Sequence, residues 1–348
     1  HALPALSNAR GEPTGALHGV LTMIRKLVRE AQPAHIAVVF DAPGKTFRDD
    51  LYADYKATRP PMPDELRSQV QPILDAVEAM GLPLLQVEGV EADDVIGTLC
   101  AQAQKRGLDV LVSTGDKDLA QLVTDSVTLV NTMDDTRLDR DAVKAKFDVW
   151  PEQVIDYLAL VGDSSDNIPG VPRVGPKTAA RWLNEYESAD AIIEHGEDIK
   201  GKVGESLRDN IDSLRLSKDL ATIRTDVDLE LDIDDLEAGE GNSEALRKLY
   251  AHYELRSLLR QLDEEQGTTP EAPVAAGRPE YETVLDWKAF DAWLAKIRKT
   301  KLVAFDTETD SLDYMNARIV GLSLAVAEAD ACYVPLAHDY PGAPDQLP

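Results

Sequence analysis

The chain has 348 residues, 43% of them hydrophobic, so it can fill more than one core and is not a disordered tether. Its two cysteines, Cys100 and Cys332, lie far apart and exclude a disulfide framework or a thiolate zinc site; no apolar run is long enough for a membrane span and no secretory segment opens the chain, so a cytoplasmic protein is expected. The net charge of −27 taken alone argues against nucleic acid, but residues 1–70 are close to neutral, and residues 167–182 hold Arg173, Lys177 and Arg181 with no acid.

Leu17, Val20, Leu21, Ile24, Leu27 and Val28 recur at helical spacing and predict a helix over 16–31. Ile36–Phe40 is a continuous apolar run, the pattern of a strand covered on both faces. A helix over 64–80 stopped by Gly81, a strand over 84–87, a helix over 93–106 stopped by Gly107, and strands over 110–113 and 127–130 follow. This alternation predicts an α/β core over 1–138, with a mostly parallel central sheet flanked by helices. From Asp139 helices dominate, over 139–147, 151–161, 176–184, 204–218 and 243–260, making 139–262 a helical part. Residues 263–280 are rich in Pro, Gly and Glu without apolar period and read as a linker. A second α/β rhythm fills 281–348: strand 281–285, helix 286–299, and strands 302–306, 319–325 and 331–335.

Acids gather where these strands end, the side on which parallel sheets bind ligands. Asp41 follows the first strand, Glu91, Asp93 and Asp94 the second, Asp116 and Asp118 the third. Each cluster alone reads better as a helix cap. Three at one sheet edge repel one another unless a cation compensates them, and oxygen-only donors point to Mg²⁺ or Mn²⁺. A fourth cluster, Asp163 and Asp166, occupies the polar turn 162–167. Next comes a Gly-bracketed hairpin, with Gly170 and Gly175, and a helix opening at Pro176 beside Lys177. Exposed amides there can hold a phosphate, and the spacing is that of a helix–hairpin–helix. In residues 44–60, Lys45, Arg48, Lys56 and Arg59 interleave with Phe47, Tyr52 and Tyr55 at helical spacing. That pattern serves phosphate and base contact, or an amphipathic helix with Phe47, Leu51 and Tyr55 inward; the place just after Asp41 favours the former.

Five motifs, VVFDAPGKTFR, GVEADDVIGTL, STGDKDLAQLV, LVGDSSDNIPGVPRVGPKTA and VAFDTETDSLD, resemble the bacterial DNA polymerase I family along essentially the whole chain. The resemblance implies a PIN-like 5′-nuclease fold with a helix–hairpin–helix subdomain, then a truncated RNase H-like exonuclease domain. It implies two-metal hydrolysis of 5′ flaps and nicked 5′ ends during primer removal and repair. Asp41, Glu91 and Asp93, with Asp94 beside them, would serve one ion; Asp116, Asp118, Asp163 and Asp166 the other. Lys56 would face the scissile phosphate, and Lys45, Arg48, Tyr55 and Arg59 would line a gateway for the 5′ strand. The hairpin, with Gly170, Val171, Arg173, Gly175, Lys177 and Thr178, would grip duplex backbone around a K⁺. Partners would be branched, flapped or nicked DNA and no membrane; the protein would be a monomer in the bacterial cytoplasm, associated with the nucleoid.

The family's first strand ends in Asp-Gly-Ser, and that Asp is a ligand; by this resemblance the strand precedes His1, and residues 1–6 are the segment after it. Asp306 and Glu308 match the first motif of a DnaQ-like 3′–5′ exonuclease whose other carboxylates lie past Pro348, so neither exonuclease nor polymerase activity is expected of this chain. Two other classes fit parts of the pattern. One is a DNA-junction binder without catalysis; the other is a metal-dependent phosphatase, for which the hairpin and residues 44–60 have no use.

Overall fold

The computed structural model describes residues 6–265, 281–311, 316–327, 330–339 and 343–347. The expected segment 1–6 therefore lies, except for Leu6, outside the described residues, as do residues 266–280 of the expected linker. Two units separate, His1–Leu262 and Asp263–Pro348.

In the first unit, α1 (Gly15–Ala31) buries Leu17 and Leu21. It leads to β1 (Val38–Val39) and the short α2 (Phe47–Leu51). Then come α3 (Asp64–Ala79), β2 (Leu84–Leu85) and α4 (Ala92–Lys105). The chain turns out of α3 at Gly81, whose φ of +75° and a Cβ that would stand 2.5 Å from the Gly239 carbonyl oxygen leave room only for glycine. Next are β3 (Val110–Ser113), β4 (Val127–Asn131) and β5 (Thr136–Leu138).

β1 pairs with β2 in parallel; β3 pairs with β4 in parallel, and β5 closes that ladder antiparallel. The expected mostly parallel arrangement is thus present, split into two ladders, and α4 packs on both β1 and β3. The ladders are shorter than the apolar runs. Ile36 donates its amide to the Leu236 carbonyl instead of to a strand. Apolar continuity reports burial on both faces, not the length of pairing.

The helical part runs α5 (Arg140–Phe147), α6 (Val154–Val161), α7 (Pro176–Tyr186), α8 (Ala189–Glu194), α9 (Gly201–Asp209) and α10 (Ile211–Ala221). One core joins it to β3 and β4, with Trp182, Leu183, Leu207 and Leu214 almost fully buried. The helix predicted over 204–218 is two helices broken at Asn210, and 243–260 is α11 (Ser243–His252) and α12 (Arg256–Glu265), broken where Glu254 takes φ of +55°. The apolar period continues through both breaks, so periodicity does not reveal them. α12 also takes in Asp263–Glu265, which read as linker. Leu246, Tyr250, Leu258 and Leu262 return to pack against Leu17, Leu21, Ile73 and Val77 of α1 and α3.

The second unit has β6 (Glu282–Thr283), α13 (Trp287–Ile297), β7 (Ala304–Thr309), β8 (Ile319–Ala327) and β9 (Asp330–Pro335), in sheet order β6-β9-β8-β7. Val284, Trp293, Cys332 and Val334 form its core. Asp286 caps α13 by accepting from the Ala289 amide at 2.8 Å. Asp306 and Glu308 sit two apart on the exposed edge strand β7, and so on one face of it. Among the described residues no helix is long and apolar enough to cross a membrane.

Candidate active site

Four chain turns deliver the acids to one cleft of about 120 Å³. Asp41 leaves the end of β1, and its Oδ1 accepts the Ala92 amide at 2.8 Å, tying β1 to the start of α4. Glu91 is the N-cap of α4, and Asp93 lies in its first turn. Asp116 and Asp118 follow β3, where the Asp116 Oδ1 accepts the Asp118 amide at 2.9 Å. Asp166 arrives from the turn after α6 and lines the same cleft. Asp163 stands behind it, 8% exposed, its Oδ1 taken by the Ser165 amide at 2.6 Å. The caps expected of single acids are real; the cleft exists because the caps of neighbouring elements converge.

The crowding shows in the proton affinities. Asp93 is pushed up to about 7 by burial and then by the charges of Asp116, Glu91 and Asp41. Asp118 is likewise pushed up to about 7, by burial first and Asp116 next. Its Oδ1 is buried and has no hydrogen-bond partner. Cations bridge three other acids: Lys56 Nζ lies 2.6 Å from Glu91 Oε1, Arg59 pairs with Asp166, and Lys117 Nζ is 2.5 Å from Asp163 Oδ2. Among the described residues no three carboxylates yet meet at one point.

Lys56 is held rigidly. Its backbone has φ of +55°, unusual outside glycine, and its amide donates to the Asp166 carbonyl at 2.9 Å. Helical spacing over 44–60 holds only for α2; beyond Tyr52 the chain turns, which swings Tyr55 inward to 6% exposure. The Tyr55 hydroxyl lies 3.3 Å from both Glu91 and Asp166, and burial raises its affinity for its proton. Tyr55 therefore braces two acids and offers no open face for stacking a base. Lys45 is exposed on the loop before α2, and Arg59 is exposed beside Asp166.

Arg48 and Asp94 depart from expectation. Arg48 is 2% exposed and grips Asp94 with two bonds of 2.7 and 2.9 Å, while also donating to the Leu220 and Thr222 carbonyls. Asp94 is fully buried, and its oxygens further accept the Glu91 and Arg224 amides. Burial alone would raise the Asp94 carboxyl, but the Arg48 guanidinium holds it below the ordinary range. Each Asp94 oxygen takes two hydrogen bonds, which leaves none for an ion, and Arg48, though it lines the cleft 3.6 Å from Glu91, has its guanidinium committed to Asp94 and the Leu220 and Thr222 carbonyls. Together they pin α2, α4 and the segment after α10. Sequence reasoning also passed over Lys117; the signal was a base set between two acids in Asp116-Lys117-Asp118.

The hairpin is built between α6 and α7, as its spacing indicated. Asp163 and Ile168 exchange backbone bonds of 3.0 and 2.7 Å. Gly170, at φ of +62°, lies against Gly162: a Cβ there would stand 2.5 Å from the Gly162 nitrogen. Gly175, the N-cap of α7, has φ of −102° and open space around it, so its backbone does not demand glycine. Arg173 and Lys177 are exposed and Thr178 is half-buried, whereas Val171 is 2% exposed and fills the core beneath the hairpin. The Val171 backbone is engaged as well, its amide donating to the Leu160 carbonyl and its carbonyl accepting the Val174 amide, so Val171 shapes the hairpin from beneath.

The 5′-3′ exonuclease N-terminal resolvase-like domain matches residues 1–148, and the 5′-3′ exonuclease C-terminal SAM fold matches 149–244. The 5′-3′ exonuclease of Aquifex aeolicus is 40% identical over 262 residues, covering 75% of this chain and 90% of that protein. The chain belongs to the 5′-3′ exonuclease family. Residues 281–346 match a 3′-5′ exonuclease domain, and the whole series has the order of DNA polymerase I. DNA polymerase I of Pseudomonas aeruginosa is 51% identical over 363 aligned positions, covering 100% of this chain and 39% of its own length; that of Rhizobium leguminosarum is 38% identical, over 97% and 42%. The chain thus spans about two fifths of these polymerase relatives. Among solved structures, the T5 5′-exonuclease with bound zinc shares the fold at a TM-score of 0.53 and 21% identity, over 71% of this chain and 88% of its own.

Proposed function

We propose that residues 1–262 are a structure-specific nuclease that hydrolyses a phosphodiester at 5′ flaps and nicked 5′ ends, acting in primer removal and repair within a DNA polymerase I. The observation that carries this reading is the cleft itself: acids from three strand ends and a strained Lys56 share one polar space, and the buried Asp118 Oδ1 has no partner. Oxygen-only donors and the raised Asp93 and Asp118 suit divalent cations, Mg²⁺ or Mn²⁺. Asp41, Glu91 and Asp93 would hold one ion, and Asp116, Asp118, Asp163 and Asp166 a second. Bound there, the ions would activate a water and stabilise the leaving 3′-oxygen.

The protein's own groups do the rest. Lys56 sets a positive charge over the cleft, where negative charge develops on the phosphate. Tyr55 keeps Glu91 and Asp166 in register. Lys45 and Arg59, exposed on the approach, would meet the 5′ strand, while Arg173, Lys177 and the amides at the start of α7 would grip duplex backbone, with K⁺ on hairpin carbonyls. Recognition is then of shape and phosphate. The relatives support this: one is named a 5′-3′ exonuclease, and a phage T5 flap endonuclease of related fold was crystallised with DNA and metal ions. We further propose a monomer working in the cytoplasm at the nucleoid. Asp306 and Glu308 would contribute to a separate exonuclease site in a longer protein.

One observation favours a second reading, a junction binder. Three of the acids, Glu91, Asp166 and Asp163, are already bridged by Lys56, Arg59 and Lys117. A labelled 5′-flap duplex separates the two: cleavage in Mg²⁺, without phosphate release from p-nitrophenyl phosphate, supports the nuclease. Tight flap binding in Ca²⁺ without cleavage in Mg²⁺ supports the binder.

A further inference from the structure

Lys117 lies between two acids of the cleft in sequence, and its ammonium turns to a third. Nζ is 2.5 Å from Asp163 Oδ2 and 3.9 Å from Asp118 Oδ1. The Asp163 side chain is 7% exposed, and its other oxygen accepts the Ser165 amide at 2.6 Å. Lys117 therefore holds the Asp163 oxygen that the Ser165 amide leaves free. Asp118 Oδ1, the nearer target of a second interaction, is buried and has no hydrogen bond. The Lys117 side chain is itself 48% exposed, so the ammonium has a clear path to solvent.

An ammonium and a divalent cation need the same carboxylate lone pairs, and the cation must approach closer, to about 2.1 Å. Lys117 takes one lone pair of Asp163 Oδ2, and its positive charge opposes a divalent cation at the other. We propose that Lys117 is a built-in competitor at the second acid group: a divalent ion enters between Asp118 and Asp163 only as the Lys117 ammonium swings out. The inference rests on the reading that these acids hold two ions. It adds that the two positions differ in affinity and that one residue, itself no ligand, sets the weaker one. Removing the ammonium helps the ion twice, by freeing Asp163 Oδ2 and by lifting a like charge from beside it.

The test is direct Mn²⁺ binding, by electron paramagnetic resonance of free Mn²⁺, to the DNA-free wild type, Lys117→Gln and Lys117→Arg. Thermal unfolding without metal checks that all three are folded. The Gln variant should bind the weaker ion about five-fold more tightly, the ratio expected for losing a part-exposed ion pair, with the tighter ion unchanged. The Arg variant keeps a competing cation and should stay near wild type. An unchanged weaker constant for Lys117→Gln overturns the proposal. So does weaker binding, which would make Lys117 a strut that positions Asp163. Wild type that binds fewer than two ions removes the two-ion reading beneath the proposal and the proposal with it, a result distinct from a failure of the Gln variant alone.

Discussion

Replacing Arg48 by methionine breaks the most buried charge pair among the described residues, and also takes away a guanidinium 3.6 Å from Glu91. The substitution removes two bonds to Asp94, at 2.7 and 2.9 Å, and two to the Leu220 and Thr222 carbonyls, each 2.8 Å. Asp94 keeps the Glu91 and Arg224 amides but has no countercharge, in a pocket where it is fully buried. Stripping one partner from such a pair costs about 3–5 kcal/mol, against a total stability of about 5–15 kcal/mol. Asp94→Asn should cost less, since it leaves an amide able to hydrogen-bond. The double variant should be more stable than the summed losses by about 2–3 kcal/mol, because the unpaired charge is gone.

The pair also has a pH signature. The folded Asp94 carboxyl lies below its ordinary 3.8, so the pair's stabilisation is present above that value and is lost as pH falls through the lower folded value. Arg48→Met should abolish this acid limb. Urea unfolding read by hydrogen exchange over α4 reports the first unit separately from the second. A loss under about 1 kcal/mol for Arg48→Met, or strict additivity in the cycle, would refute the structural assignment and return Arg48 to the DNA-contact role.

Three further outcomes follow from the same geometry. Gly170→Ala, forced to φ of +62° with its Cβ 2.5 Å from the Gly162 nitrogen, should lower Tm by several degrees and weaken flap binding, whereas Gly175→Ala, in open space at φ of −102°, should leave Tm unchanged; equal Tm values would contradict the hairpin geometry. Asp93 and Asp118, each raised to about 7, bind protons in the native state between about pH 4 and 7, so stability without metal falls as pH rises through that window, and Mn²⁺ should raise Tm more at pH 8 than at pH 5.5; differential scanning fluorimetry checks this, and an equal gain would mean these acids do not meet the ion. Lys56→Ala should lower single-turnover flap cleavage by about 10²–10³-fold while binding in Ca²⁺ stays within a few-fold; a purely affinity-based loss would move Lys56 from the reacting phosphate to the gateway.

Much of this was legible in the residues, for reasons that differ from element to element. The helices of the first unit show because a one-sided apolar stripe repeats over several turns, as Leu17 and Leu21 do in α1. β3 shows at its observed bounds because Val110–Ser113 is both apolar and fully paired. The acids show because a strand end followed by Asp or Glu is a local pattern, and the sheet brings such ends together. What stayed hidden is long-range. Arg48 and Asp94 are 46 positions apart, and nothing near either says that one neutralises the other. Tyr55 and Val171 sit among basic or glycine-rich neighbours that suggest a surface, yet packing takes their side chains inside. α8, six residues held by the Ser188 cap, is too short for a period, and β5 is a three-residue return of the chain against β4.

Single-turnover cleavage of a 5′-labelled flap duplex in Mg²⁺, with Asp118→Asn set beside wild type, bears most directly on the cleft as a hydrolytic centre. It is best run both on this chain and on a longer one that carries a preceding strand of roughly 15 residues. Wild type should cut in at least the longer form. Asp118→Asn, which keeps the side chain's shape and removes its charge, should cut about 10³-fold more slowly while binding the flap in Ca²⁺ within a few-fold of wild type. Cleavage by Asp118→Asn at the wild-type rate would remove Asp118 from the reaction, and tight binding with no cleavage by either form would make this fold a junction-binding module.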